Sequence, residues 1–197
     1  MIVSHRLRCI FVHVQKTAGT SIENVLRHHD PDAGSNLHAG RRHLHAREIR
    51  ELVPRDVWDG YFKFAFVRNP FERLVSWYFM CVQVPTPNGF CRYVRDNFPT
   101  FESFVTGATN GMGEKTTRNQ ADYVTDTGGA QIVDFVGRYE SLADDFAKVA
   151  QRLGVAAALP RSNPSTHGDY RAYYTDAMRD VVAARYARDL DCFGYRF

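Results

Sequence analysis

The sequence contains little lysine, carries nearly balanced charge and has no long apolar run. Only four of its 197 residues are lysines, so arginine supplies most of the positive charge. The 25 Lys and Arg residues against 22 Asp and Glu give a formal net charge of +3, which is too small for a protein dedicated to nucleic-acid binding. No stretch reaches the roughly 18 consecutive apolar residues that a membrane-spanning helix needs, so we expect no transmembrane segment.

The four cysteines are scattered and include no Cys-x-x-Cys pair, which argues against a zinc site and a disulfide framework. We expect reduced, mostly buried thiols at Cys9, Cys81, Cys91 and Cys192. The first residues also lack a leucine-rich signal core and a small-residue cleavage site. Together these absences predict a cytoplasmic location.

Apolar and aromatic residues are plentiful enough for a packed core. Hydrophobic residues make up 44% of the chain, including 14 Phe and 10 Tyr, so disorder is excluded as its main state. The length suits one domain over residues 1–197. The same succession occurs three times: a short apolar run, then a turn, then a stretch whose apolar residues have helical spacing. Strands are predicted at 9–14, 62–67 and 133–139, and the helices that follow them at 20–29, 71–82 and 142–153. This order predicts an α/β fold with a central parallel sheet flanked by helices.

The remaining segments are less regular. A short helix is predicted near residues 46–52 and a long last helix over 175–190. The proline-rich stretch 84–99 predicts an irregular excursion, and the glycine-rich stretch 107–129 predicts a mobile surface loop.

The sharpest local signal is the sequence Gln-Lys-Thr-Ala-Gly-Thr-Ser at residues 15–21, between a predicted strand and a predicted helix. Bound phosphate needs backbone N–H donors, the positive end of a helix and a cation. Gly19 permits a close backbone approach, Lys16 supplies the charge, and Thr20 and Ser21 are expected to cap the helix and add hydroxyl donors. An ordinary helix start with an exposed lysine would show the same pattern, so this alternative stays open.

This segment is not the Gly-x-x-x-x-Gly-Lys-Ser/Thr loop of magnesium-dependent nucleotide triphosphatases. Lys16 precedes Gly19, and no glycine stands four or five residues upstream of the lysine. The order of these residues therefore argues against an ATPase, but a ligand that carries phosphate is still expected.

A second group of polar residues follows the second predicted strand. Arg68 stands where that strand ends, which in an open parallel sheet is the edge where ligands bind. Pro70 opens the next helix, and Ser76 lies nearly two turns inside it. An arginine fork suits a second phosphate, with the Ser76 hydroxyl completing the contact. Taken alone, these residues are better explained as a surface arginine and a neutral helix position.

Four stretches together resemble the carbohydrate-type sulfotransferases, especially their short bacterial members. The matching residues are Phe11–Ser21, Phe64–Tyr78, and Val136–Glu140 with the Asp145–Phe146 pair, followed by the terminal Phe193–Tyr195. The likeness covers nearly the whole chain, and its two long motifs occur in the right order. Gln15 departs from the family pattern, which commonly has proline before the lysine.

The resemblance implies a P-loop nucleotide-kinase-like sulfotransferase fold and the donor 3′-phosphoadenosine 5′-phosphosulfate, with no metal. Arg68 and Ser76 would hold the 3′-phosphate, and Lys16 would stabilise charge on the leaving phosphate. The acceptor would be a hydroxyl, most naturally on a saccharide or glycolipid. The 5′-phosphosulfate would be held by the first loop: Lys16, Thr17, Ala18, Gly19, Thr20 and Ser21.

The family places a histidine or glutamate base between its two phosphate motifs. His43 best matches that histidine position, and an imidazole suits proton abstraction at neutral pH. His45 and an acidic residue are the alternatives, and His13 is expected in the core or behind the site.

Weaker candidates for ligand contact are 119–123, 138–140 and 165–174. Two other functions stay open: a small-molecule kinase on the same fold, and a nucleotide-binding protein without catalysis. No nucleic-acid partner is expected.

Overall fold

The computed structural model describes residues 1–34, 42–107, 118–155, 159 and 167–197. The chain divides into two compact units. The first combines Met1–Arg68 with Gln120–Ser162, and the second combines Asn69–Asn119 with Asn163–Phe197. The expectation of one domain over residues 1–197 stays a prediction.

The first unit contains a four-stranded sheet in the order β1-β2-β3-β4. Its strands are β1 (Ile2–Ser4), β2 (Cys9–Val12), β3 (Phe62–Val67) and β4 (Phe135–Arg138). Its helices are α1 (Gly19–His29), α2 (Ala46–Leu52), α3 (Arg55–Gly60), α7 (Ala121–Val124) and α8 (Leu142–Leu153).

The three predicted strands pair in parallel, with Phe11 opposite Phe64 and Phe66 opposite Gly137. The prediction of a central parallel sheet is confirmed for these strands, of which β2 and β3 are largely buried, as is typical of parallel strands. The sheet also has an edge strand that the sequence analysis did not predict, because β1 pairs antiparallel to β2. The connection between them spans only four residues and turns at Arg8, whose φ is 49°. Such a short link joins antiparallel strands and cannot make a parallel crossover.

The core of the first unit lies between the sheet and helices α1 and α8. Phe11, Phe64 and Phe66 point from the sheet into this core, and the Phe11 and Phe64 rings stack 5.1 Å apart. Helix α8 has the predicted bounds and ends at Gly154, whose φ of 67° suits glycine. This packing fixes the starting positions of the loops that leave β2, β3 and β4.

The second unit is helical in its described residues and has its own aromatic core. Its helices are α4 (Pro70–Gln83), α5 (Gly89–Asn97), α6 (Phe101–Gly107), α9 (Asp176–Arg185) and α10 (Ala187–Phe193).

Two expectations for this unit are wrong. The stretch 84–99 contains α5, because the Asn88 side chain accepts the Cys91 N–H at 2.9 Å and starts a helix after the prolines. The predicted long last helix breaks at Tyr186, whose backbone ends α9 and begins α10. Most of the predicted glycine-rich loop, residues 108–117, lies outside the described residues, whereas its later part forms α7.

Candidate active site

The predicted phosphate loop connects β2 to α1 in the first unit. Lys16 and Ala18 both adopt left-handed backbone conformations, with φ of 68° and 64°. For residues other than glycine such conformations cost about 1–3 kcal/mol each, and they recur at ligand-binding loops. Turns that include left-handed residues direct successive N–H groups into one concavity, which suits an anion.

Helix α1 begins inside this loop. The Ile22 N–H donates to the Ala18 carbonyl at 3.2 Å. The first N–H groups of an α-helix point out of its N-terminal end, where an anion can accept them. The helix dipole adds partial positive charge at the same place.

The expectation that Thr20 and Ser21 cap this helix is wrong, because the cap is Ala18, which has no side-chain donor or acceptor. Thr20 is exposed and Ser21 is buried in the first turn. Thr17 is fully buried, and its hydroxyl donates to the Val14 carbonyl at 2.9 Å. Thr17 therefore stabilises the loop from within.

His13 lies directly beneath Gly19. A Cβ added to Gly19 would stand 1.9 Å from the His13 Nε2, so any side chain there would displace the imidazole. The sequence analysis expects Gly19 to permit a close approach of the ligand. In the structure, a glycine is also needed at this position because the His13 ring leaves no room for a Cβ.

A hydrogen bond to a buried carboxylate fixes the His13 ring. His13 Nδ1 lies 2.8 Å from a carboxylate oxygen of Glu23 on α1, and Arg42 contacts the other oxygen. Burial alone would raise the Glu23 pKa, but hydrogen bonds from His13 and Arg42 and the charge of the Met1 ammonium lower it to about 2. Burial lowers the His13 pKa despite Glu23, so the ring is neutral and donates its Nδ1 proton to the carboxylate.

His43 lies against His13. The His43 Nδ1 is 3.0 Å from the His13 carbonyl oxygen, and the two rings meet edge to face with centroids 4.5 Å apart. Because a carbonyl only accepts, the Nδ1 carries the proton and Nε2 carries the lone pair. Burial, together with the nearby His13, lowers the His43 pKa to about 4. His43 is therefore a neutral imidazole at physiological pH.

His45, the alternative base, occupies a different setting. It is the N-cap residue of α2, and its backbone N–H donates to the Glu48 carboxylate at 2.8 Å. Its buried ring packs edge to face on Tyr123 at 4.6 Å. These contacts explain His45 as part of a capping box and a packed helix pair.

Arg68 follows β3 and is held from three sides. The Gln120 amide bonds both backbone groups of Arg68, accepting its N–H at 2.9 Å and donating to its carbonyl at 2.7 Å. The Arg68 guanidinium lies 3.9 Å from the Tyr139 ring centroid and donates to the Lys16 carbonyl at 3.4 Å. The two cationic residues predicted to bind phosphate are thus brought together at neighbouring strand ends.

The turn after β4 is fixed by Asp145. Its carboxylate accepts the Arg138 N–H at 2.9 Å, the Ser141 hydroxyl at 2.8 Å and the Lys148 ammonium at 2.7 Å. Burial opposes the charged carboxylate, but these bonds and the Lys148 charge lower its pKa overall. This turn carries Tyr139 to its place over Arg68.

Ser76 belongs to the second unit, where it is buried in α4. The start of that helix follows the sequence prediction. Pro70 is its first residue, and the Asn69 side chain accepts the Phe71 N–H at 3.0 Å. The Arg-Asn-Pro sequence thus combines a strand end, a helix cap and a helix start.

The weaker candidates have structural contacts. In the second unit, Asp169 caps a short 3₁₀ turn by accepting the Arg171 N–H at 3.0 Å, and the Arg171 guanidinium covers the Tyr170 ring at 4.5 Å. Residues 165 and 166, also named as candidates, lie outside the described residues.

A shallow cavity of about 350 Å³ lies at the start of β3, at the opposite end of that strand from Arg68. Asp59, Lys63, Asp134 and Arg152 line it, and none of the predicted site residues does. Within the described part of the chain, no three or more His, Cys, Asp or Glu residues are grouped to hold a metal ion. The helices described here include none long and apolar enough to cross a membrane.

Sequence reasoning missed Glu23 and the role of Gln120. Glu23 stands among the apolar residues Ile22, Val25 and Leu26 of α1, and a charge in that position is the signal that could have revealed a buried pair. Gln120 gave no such signal, because its partner Arg68 is 52 residues away in the sequence.

The sequence model of the sulfotransferase family matches residues 1–196, and the chain belongs to this family. An uncharacterised protein of Archaeoglobus fulgidus is 31% identical over 125 residues, which cover 62% of this chain and 93% of the relative.

The crystal structure of mouse sulfotransferase SULT7A1 complexed with PAP is a structural match. It has a TM-score of 0.57 and 15% sequence identity, and the match covers 95% of this chain and 86% of that chain. This likeness confirms the predicted sulfotransferase fold.

Proposed function

We propose that the protein transfers a sulfuryl group from 3′-phosphoadenosine 5′-phosphosulfate to an acceptor hydroxyl. The observation that carries this proposal is the neutral imidazole of His43 beside the anion-binding loop, with His13 in contact with both. Family membership supports the reaction class, and the PAP bound to the mouse relative supports the donor.

The residues of the first unit fit a donor with two anionic groups. Lys16 and the N–H groups of Gly19, Thr20 and Ser21 would bind the 5′-phosphosulfate, with Thr17 and Ala18 contributing through the loop backbone. Arg68, whose guanidinium reaches the Lys16 carbonyl, would bind the 3′-phosphate. Ser76 is assigned to the same phosphate from its sequence motif alone.

The donor supplies an activated sulfuryl group bonded to its 5′-phosphate. His43 Nε2 would accept the acceptor hydroxyl proton as the acceptor oxygen bonds to sulfur. Lys16 would stabilise the charge that appears on the 5′-phosphate when its bond to sulfur breaks. His43 is already held in position by the His13 carbonyl, so little reorganisation of the base opposes the reaction.

A carbohydrate acceptor, either a saccharide or a glycolipid, follows from the resemblance to carbohydrate-type sulfotransferases. Transfer without a metal is proposed from the same resemblance, and the cytoplasmic location stays a prediction.

The test is transfer of sulfur-35 from labelled donor to a panel of desulfated oligosaccharides, a glycolipid and a simple phenol. We expect label on a saccharide or glycolipid, without added magnesium. Lys16→Ala should abolish transfer. Phosphate transfer from γ-labelled ATP, with no sulfur transfer, would favour the kinase. Tight donor binding without transfer to any acceptor, and only weaker binding in Lys16→Ala, would favour a non-catalytic protein.

A further inference from the structure

We propose that His13 is a positioning residue that holds both the phosphate loop and the base His43 in their working arrangement. This inference rests on the proposed function and deepens it, because it concerns how the same site is assembled. His13 has no role in the transfer itself.

The first contact is with the loop. The His13 ring fills the space beside the Gly19 Cα, and any Cβ there would overlap the imidazole. Gly19 is the first residue of α1, where the N–H groups proposed to bind the 5′-phosphosulfate begin. The position of the ring therefore sets how close this helix end lies to β2.

The second contact is with the base. The His13 carbonyl accepts the His43 Nδ1 proton at 3.0 Å, and the His13 ring covers the His43 ring at 4.5 Å. The carbonyl selects the His43 tautomer that has its lone pair on Nε2. The ring shields His43 from water and limits its rotation.

Glu23 keeps the His13 ring from turning. Its carboxylate accepts a hydrogen bond from the His13 Nδ1–H at 2.8 Å, and the side chain of Glu23 is only 7% exposed. Arg42 contacts the same carboxylate. Loop, base and helix α1 thus meet at one neutral histidine whose orientation is fixed by a buried charge.

The charged and titratable groups around His43 are His13, Arg42 and the terminal ammonium of Met1, and Glu23 pairs with all three. Removal of the His13 ring takes away a neighbour that keeps water from one side of the His43 ring. His43 should then titrate closer to its ordinary value.

The test compares His13→Ala and His13→Asn with the wild type. The Asn amide keeps a donor near the position of Nδ1 but removes the ring. His28→Ala is the matched control, since His28 is an exposed histidine in the last turn of α1. Each protein is examined by NMR titration of labelled histidines, by calorimetry with 3′,5′-bisphosphoadenosine and by sulfur-35 transfer.

We expect His13→Ala to raise the His43 pKa from about 4 towards 6.5. The dissociation constant of the bisphosphate should rise about tenfold, and kcat should fall on the order of 100-fold. The three values for His13→Asn should lie between those of this variant and the wild type, and those of His28→Ala should equal the wild-type values. A folded His13→Ala with an unchanged His43 titration and unchanged kcat would overturn the proposal.

A double-mutant cycle with Gly19→Ala keeps the test valid if one variant folds poorly. Gly19→Ala should weaken bisphosphate binding when His13 is present, because the new Cβ meets the ring. It should have little further effect in the His13→Ala background, where the space is empty. Equal losses in both backgrounds would contradict the contact on which the proposal rests.

The NMR titration does not depend on turnover, which separates this proposal from the proposed function. A wild-type protein that fails to bind the bisphosphate would contradict the proposed function. A wild type that binds and transfers, with His13 variants that behave alike, would contradict the role of His13 alone.

Discussion

His43 combines two properties that a base needs at neutral pH: it is neutral, and the proton it already holds is bonded to the His13 carbonyl. We therefore expect His43→Ala to lower kcat by roughly 100-fold or more while the affinity for 3′,5′-bisphosphoadenosine is unchanged. His29→Ala, at a half-buried position at the end of α1, is the control. Turnover that survives in His43→Ala would mean that another residue accepts the proton.

The environment of His43 also predicts the pH dependence of the reaction. Burial and the nearby His13 lower its pKa to about 4, so the base is already neutral well below pH 7. Since protonation removes the base, kcat/KM should stay level from roughly pH 8 down to roughly pH 5 and fall near pH 4. Circular dichroism over the same range separates loss of base from loss of fold. An acid limb near pH 6.5 would show that His43 is not the base in this buried setting.

Arg68 is the residue that should distinguish a 3′-phosphate from a free 3′-hydroxyl. Arg68→Ala is expected to remove most of the difference in affinity between 3′,5′-bisphosphoadenosine and 5′-AMP, and Arg68→Lys to retain part of it, because a lysine keeps the charge but not the fork. Calorimetry on both ligands gives this ratio. Equal weakening for the two nucleotides would contradict the assignment.

At the scale of the element, Gln120 ties the start of α7 to the end of β3. Gln120→Leu keeps the size of the side chain but leaves the buried N–H and carbonyl of Arg68 without their partner. We expect the free energy of unfolding to fall by about 2 kcal/mol or more, with weaker bisphosphate binding because Arg68 shifts. The exposed Gln131 offers a matched control, and Gln131→Leu should change stability by less than about 0.5 kcal/mol. Urea unfolding monitored by circular dichroism gives both values.

Elements whose signals are local were predicted well from the sequence. Strand β3 and helix α8 have the predicted bounds, because an apolar run and a terminal Gly154 depend on near neighbours only. Helix α5 was missed because the prolines before it obscured the cap at Asn88. The break at Tyr186 was missed because apolar spacing continues through it.

The same distinction between local and long-range signals applies to the candidate site. Lys16, Arg68 and His43 were identified from motifs, whereas the contacts that orient them join residues distant in the sequence. The Glu23 bond to His13 joins a helix to a loop, and the Gln120 bond to Arg68 joins the start of α7 to the end of β3. No local pattern specifies such pairs, since they form only when the sheet brings its strand ends together.

At the scale of the whole molecule, the first unit brings together residues for two anionic groups. Lys16 and Arg68 lie at the ends of adjacent parallel strands, and a hydrogen bond joins them. This is the edge at which open parallel sheets bind ligands. We therefore expect the site to prefer a nucleotide that carries phosphate groups on both its 3′ and 5′ oxygens over one with a single phosphate chain.

The most direct test of this account is calorimetric titration of the wild-type protein with 3′,5′-bisphosphoadenosine, ATP and 5′-AMP, each with and without magnesium. We expect the wild-type protein to bind the bisphosphate tightly and independently of magnesium, and to bind the other two nucleotides much more weakly. A preference for ATP with magnesium, or no binding of the bisphosphate, would contradict it.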